Sequence, residues 1–370
     1  MKRFLGFILI LMMFTSIELF AVTIDIKAPQ IIGGGGLTAG DIITLNTQLT
    51  SIATDFQQQL YGENLNKLGH QNKLATGFGN ASAYSANSAS FSGYEGYDIF
   101  AFMWGISAGV KIPSNMEIKD GFKDKVDFDF GVAISTAFNL GINLTALGLD
   151  FLPNRLYMNI KGLKLSIDDA KDWSFKMTTF GIGFNYQLVD RGGDRFRLFK
   201  WTGLSVSTGF LYNKNKINFN YELDEYTSDN TTSGIPGYEL SLIFTPDTNF
   251  GLDVKTYTIP IEISTSVRLL WLFNFTLGAG IDMAFGTSKI IAAAKTEVYL
   301  RNNSGTSVNY RYEKGTAIID GTTSDKPNLL NPKILGGLGL CLGPIPIDVR
   351  ATYYLGRNGL AVNVGTGIVW

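Results

Sequence analysis

The chain has 370 residues, a formal net charge of −1 and only 17% charged residues, below the roughly 25% of an ordinary soluble domain. Near-zero charge gives no basis for electrostatic capture of nucleic acid. The single cysteine, Cys341, excludes an intrachain disulfide framework, and with one histidine, His70, there is no zinc cluster and no expected cofactor.

Met1-Lys2-Arg3 leads into an apolar run from Phe4 to Met13 and on to Phe20-Ala21. That order is a secretory signal peptide over residues 1–21, with the mature chain starting near Val22. No later stretch of about 18 apolar residues occurs, so transmembrane helices are not expected, and a secreted soluble protein or a closed barrel remains.

From Ile42, apolar residues recur at Leu45, Leu49, Ile52, Phe56 and Leu60, the spacing of one helix face. The spacing predicts a helix from about Ala39 to Tyr61, started by Thr38 with Asp41 three residues on. Gly33 to Gly36 reads as a joint, since no phosphate-loop pattern follows it. The stretch from Ala75 to Asp98 is rich in Gly, Ala, Ser and Asn without a sustained period, and reads as an irregular packed segment. Residues 22–98 are therefore expected to form an N-terminal helix and a small-residue plug or periplasmic segment.

Beyond Ile99 the code changes to period two. Val126, Phe128, Phe130, Val132, Ile134, Thr136, Phe138 and Leu140 share one face, against Asp127, Asp129, Gly131, Ala133, Ser135, Ala137 and Asn139. Tyr257 to Val267, Phe273 to Phe285, Ile345 to Leu355 and Leu360 to Trp370 repeat it. A β-sandwich also alternates, but its strands are about 5 to 6 residues long, whereas a tilted membrane-crossing strand needs about 9 to 11. The expected fold is all-β: an antiparallel transmembrane β-barrel over residues 99–370. It has about ten strands, or as many as fourteen if Ile217 to Leu223, Tyr238 to Phe244 and Ile290 to Leu300 are separate crossings.

Threading backward from the last strand puts short turns on one side and the excursions 213–253 and 287–331 on the other, as barrels prefer. Trp201, Trp271 and Trp370 then fall near the inner rim, and Trp173, Tyr212, Tyr257 and Tyr353 near the outer one. The final run, with Leu360, Val362, Val364, Thr366, Ile368 and Trp370 on one face, resembles the closing strand of bacterial outer-membrane proteins. That resemblance implies an outer-membrane location and makes Val362, Val364, Ile368 and Trp370 the assembly signal read by the barrel-assembly machinery. The helix at Ile42 to Leu60 and the small-residue segment Gly77 to Ala89, ahead of a barrel, also resemble the long-chain fatty-acid transporter family. This implies a lumen hatch and passage of hydrophobic substrates.

Histidine is the usual general base of outer-membrane hydrolases, and His70 lies before the barrel, so no enzyme is expected. Asp127, Asp129, Glu262, Arg268, Asp282, Asp348 and Arg350 share the presumed lumen face and are the candidates for lining a pore. The small residues Gly181, Gly183, Ser205, Ser207, Ser264, Ser266, Gly278 and Gly280 leave room for a plug, with Ser82 expected beside Ser266. Expected partners are outer-membrane lipid, the assembly machinery and a small or hydrophobic solute. The reading that follows is a passive channel or transporter; the alternative is a closed barrel, structural or adhesive, that works through its outer excursions.

Overall fold

The computed structural model describes residues 23–34, 36–62, 71–88, 97–113, 129–148, 155–169, 173–189, 198–222, 225–228, 231–232, 234–235, 238–245, 247–303 and 310–370. The signal segment, His70 and Asp127 lie outside them. Strands β1 (Thr23–Lys27) and β2 (Gln30–Gly34) precede helices α1 (Ala39–Gly62) and α2 (Gln71–Ser88). Then come β3 (Phe100–Lys111), β4 (Gly131–Asn143), β5 (Leu156–Asp169), β6 (Trp173–Val189) and β7 (Phe199–Glu222). The short β8 (Tyr226–Thr227) and β9 (Leu240–Phe244) lead to β10 (Asp247–Leu269) and β11 (Phe273–Asn302). After β12 (Tyr310–Glu313), β13 (Gly315–Asp320) and β14 (Thr323–Asp325), the chain ends in β15 (Leu330–Leu342), β16 (Ile345–Tyr354) and β17 (Gly359–Val369).

Ten of these strands close a ring in the order β3-β4-β5-β6-β7-β10-β11-β15-β16-β17, with β17 returning antiparallel onto β3. Side chains on a strand alternate between faces, so the period-two code becomes an inside and an outside. On β10, Thr258, Glu262, Ser264 and Ser266 are buried in the lumen while Ile261 and Ile263 face outward. Phe275, Leu277, Leu338, Val349, Val362 and Val364 continue the outward apolar face on neighbouring strands. Among the described residues no helix is long and apolar enough to cross a membrane.

One rim carries Trp370, stacked on Phe100 with ring centroids 4.5 Å apart. Residues 144–148 and the turns at 270–272 and 343–344 share that rim, and Ile99 N donates to Trp370 O there. At the far rim the wall does not stop. Strands β7, β10 and β11 run on in continuous register past it, Asp247 pairing with both Glu222 and Lys295. The outer half of β11 adds β9, β13 and β14, and β13 adds β1.

These extensions form a head. Residues 217–222, 238–244 and 290–300 belong to it rather than to further crossings, and the ring has ten staves. Helix α1 lays Leu45, Leu49 and Ile52 against Ile24, Ile26, Ile31, Leu240, Leu242, Phe244, Val298 and Leu300, and Phe56 stacks on Phe244 at 4.9 Å. The helix starts as its sequence signals: Thr38 N and Oγ1 donate to Asp41 Oδ2 at 2.9 and 2.7 Å, and Asp41 N donates back to Thr38 Oγ1 at 3.2 Å. This reciprocal capping satisfies donors that a helix N-terminus otherwise leaves open. The hydrogen bonds from Thr38 hold the Asp41 carboxyl below its ordinary range.

Helix α2 corrects the expectation of an irregular segment. It shows no apolar stripe because from Leu74 to Ala86 none of its side chains is exposed: Ala75, Asn80, Ala81, Ser82, Ala83, Tyr84, Ser85 and Ala86 are all buried, and a helix enclosed in a lumen needs no amphipathic pattern. The plug expectation is narrowed as well. Among the described residues of that segment, α2 lies in the lumen, while α1 packs in the head.

Candidate functional site

The lumen is the site to which the fold leads, because the strands direct the chain's buried charges there. At the far rim Thr76 Oγ1 donates to Asp325 Oδ2 at 2.6 Å, and Asn328 N donates to Asn80 Oδ1 at 2.7 Å. Deeper in, Ser82 Oγ lies 3.1 Å from Thr256 Oγ1, and Asn213 Nδ2 donates to Ser82 Oγ at 3.1 Å. Ser266, the partner expected for Ser82, is instead engaged with Thr276 Oγ1 at 2.8 Å. Ser135 Oγ donates to Ser85 O at 2.7 Å, and Lys161 Nζ donates to Ala86 O at 2.7 Å. A cation on a carbonyl of the last helical turn also answers the negative end of the helix dipole.

Glycines set how closely helix and wall approach. A Cβ on Gly131 would overlap the backbone of Gly77, and one on Gly109 would overlap the Ala81 carbonyl. Any larger side chain at these positions holds α2 off the wall.

Beside the helix lies a charge network. Glu262 accepts from Lys333 and, at 2.9 Å, from Arg350 Nη2. Asp282 accepts from Lys333 at 2.6 Å and from the Tyr354 hydroxyl at 2.9 Å. The Tyr354 ring stacks on Tyr84 of α2 with centroids 3.7 Å apart. Two carboxylates and two cations balance, and each carboxylate has two donors, the condition under which charge survives burial.

Glu262, Asp282 and Arg350, expected on one lumen face, meet there through Lys333, and Tyr354 joins them to Tyr84 of α2. Asp129 pairs with Lys111 at the far rim. Arg268 and Asp348 lie nearer the Trp370 rim, where Arg268 Nη2 stands 3.4 Å from Cys341 Sγ. Sequence reasoning missed Lys333, Lys161 and Lys111. The signal for Lys161 was a lysine on the lumen face of Tyr157, Asn159 and Lys161, opposite Met158 and Ile160.

Toward the Trp370 rim lies a cavity of about 40 Å³, lined by polar residues such as Asn139, Asn159, Lys161 and Glu262 and by apolar ones such as Ile182 and Leu211. That volume suits a few waters and no larger solute. The chain leaves at this end: Tyr97 donates to Asn159 Oδ1 at 3.1 Å and packs edge-on against Tyr157, just before β3 begins. Among the described residues no group of three or more His, Cys, Asp or Glu stands in a metal-binding arrangement.

A family model described as Lsa36-like matches residues 27–370. No curated protein matches the chain. Solved structures similar to it include the translocator domain of the autotransporter NalP from Neisseria meningitidis, 9% identical with a TM-score of 0.29, covering 87% of this chain and 97% of that one. The toluene transporter TbuX from Ralstonia pickettii is 10% identical with a TM-score of 0.23, covering 80% and 99%. Ail, the attachment invasion locus protein of Yersinia pestis, solved with the heparin analogue sucrose octasulfate, is 9% identical with a TM-score of 0.22, covering 73% and 97%.

Proposed function

The chain belongs to the Lsa36-like family, and from that premise we propose that it is an outer-membrane barrel closed by its own helix, whose work is to display a folded head at the outer surface. The observation that carries this is the path of the chain. Strand β1 and helix α1 lie in the head beyond the far rim, α2 fills the lumen, and β3 starts at the Trp370 rim. The barrel is therefore an anchor threaded by the segment that builds the head.

Three features support the membrane setting: outward apolar residues on every part of the ring, aromatic residues at both rims, and the closing strand with Val362, Val364, Ile368 and Trp370. With Trp370 on the periplasmic side, as an assembly signal requires, the head and the amino-terminal strands face outward. The amino-terminal segment then reaches the surface through the lumen or as the barrel closes around it. No residue in the lumen is assigned a catalytic role.

The passive-channel reading, for small or hydrophobic solutes as in the fatty-acid transporters, requires α2 to leave its hydrogen-bonded seat. Planar-bilayer recording of the full-length protein decides between the two. The anchor reading expects no conductance steps, together with labelling of a cysteine at Ile43 on intact cells in a Cys341→Ser background. Steady ohmic conductance from the unaltered protein would favour the channel instead.

A further inference from the structure

The outer wall of the barrel at the far rim is not uniform. In cross-strand register from β5 to β11 run Gly162, Phe180, Tyr212, Tyr257 and Phe285, and the Tyr212, Tyr257 and Phe285 rings are neighbours at 5.2 and 5.4 Å. This is the aromatic row that marks the edge of the hydrocarbon. Two residues farther out, the next outward row reads Lys164, Thr178, Lys214, Lys255, Thr287. The row after that reads Ser166, Lys176, Lys216, Asp253, Lys289.

Six lysines thus face outward within two rows, and Asp253 is the one acid in them. Asp168, 3.2 Å from Lys176, stands at its margin. Lys214 sits directly opposite Lys255, and Lys176 directly opposite Lys216. Like charges in such pairs oppose sheet formation, so this pairing is not explained by the stability of the barrel alone. On the opposite side of the ring, Leu330, Tyr353, Leu355 and Leu360 face outward near this rim.

The geometry points to a binding site for a phosphorylated glycolipid of the outer leaflet, held by Lys164, Lys176, Lys214, Lys216, Lys255 and Lys289. The inference rests on the outer-membrane reading. Its rows lie immediately beyond the aromatic girdle, the depth of lipid headgroups, where each lysine near an anionic surface adds to attraction. The Lys255 ammonium, 5.3 Å from the Tyr257 ring centroid, bridges the aromatic row to the basic rows. A headgroup with two phosphates can neutralise both like-charged pairs at once.

The test uses the full-length protein refolded into phosphatidylcholine vesicles with or without bisphosphorylated lipid A, and counts lipid A retained per barrel after detergent exchange. The variant K176Q/K214Q/K216Q/K255Q should retain at least about tenfold less, while K295Q/K314Q in the head should match the unaltered protein. Without lipid A the quadruple variant should be no less heat-resistant than the unaltered protein, because two repulsive pairs are gone, so lost binding is not lost folding. Undiminished retention by the quadruple variant, or equal retention of dephosphorylated lipid, overturns the site. Failure of the unaltered protein to enter vesicles at all overturns the membrane reading beneath it.

Discussion

Two helices from the same stretch of chain are held in different ways. Helix α1 presents Leu45, Leu49 and Ile52 to an apolar core and leaves its other side, Ile43 included, exposed. Helix α2 packs Leu74, Ala75 and Phe78 with Leu252, Val254 and Ile290 at the far rim, and deeper in it is held through serines, asparagines, glycines and one stacked tyrosine, beside a balanced cluster of charge. Apolar contact is non-directional and tolerates small shifts, whereas a hydrogen-bonded seat in a lumen fixes depth and rotation. The head is built like a small soluble domain, and the lumen like a lock.

The largest expected effect breaks the lock. Lys333→Met leaves Glu262 and Asp282 short of a shared cation and should cost about 3 to 5 kcal/mol, read as a lowered unfolding temperature of the detergent-solubilised barrel. Replacing the pair together, D282N/K333M, should restore much of that loss, since Glu262 keeps Arg350 and no uncompensated charge stays buried. If the single and double variants lose equally, packing rather than charge holds the network.

A smaller effect is expected in the head. Leu49→Ala opens a cavity under α1 and should cost about 3 kcal/mol, seen as protease cleavage in the head while the barrel keeps its heat-modifiable mobility on gels. A parallel loss of barrel stability would mean that head and lumen unfold as one unit.

The smallest lies at the start of α1, where Thr38→Ala removes a cap worth about 1 kcal/mol. The pH dependence there follows from Asp41, whose folded value lies below its ordinary one. Its contribution is present above the unfolded value and is lost as pH falls through the folded one. Hydrogen exchange at the first turn of α1 should therefore rise, at matched chemical rate, between pH 5 and pH 3 in the unaltered protein and change less in Asp41→Asn.

The barrel was legible because each stave is long and alternates, and because Glu262, Asp282 and Arg350 interrupt the small-residue face at lumen positions. The first helix was legible from its apolar stripe and its Thr38–Asp41 start. The second was not, since a helix buried on all sides carries no period for a sequence to display. Lys333 was hidden for a related reason: Asn331-Pro332 reads as the end of an excursion, although Pro332 faces outward on β15 and Asn331 and Lys333 both face the lumen. The head escaped notice because β7, β10 and β11 cross the rim without a break in their pattern, so nothing in the sequence separates wall from head.

The seat of α2 in the lumen is the claim on which anchor, head and path all depend. Cysteines at Ser82 and Thr256, whose hydroxyl oxygens lie 3.1 Å apart, introduced in a Cys341→Ser background, test it by disulfide formation in the membrane-assembled protein. The account predicts a near-complete crosslink that forms without added denaturant and leaves the bilayer silent to current. An assembled barrel whose Ser82 cysteine reacts freely with a soluble maleimide and never pairs with position 256 would contradict it.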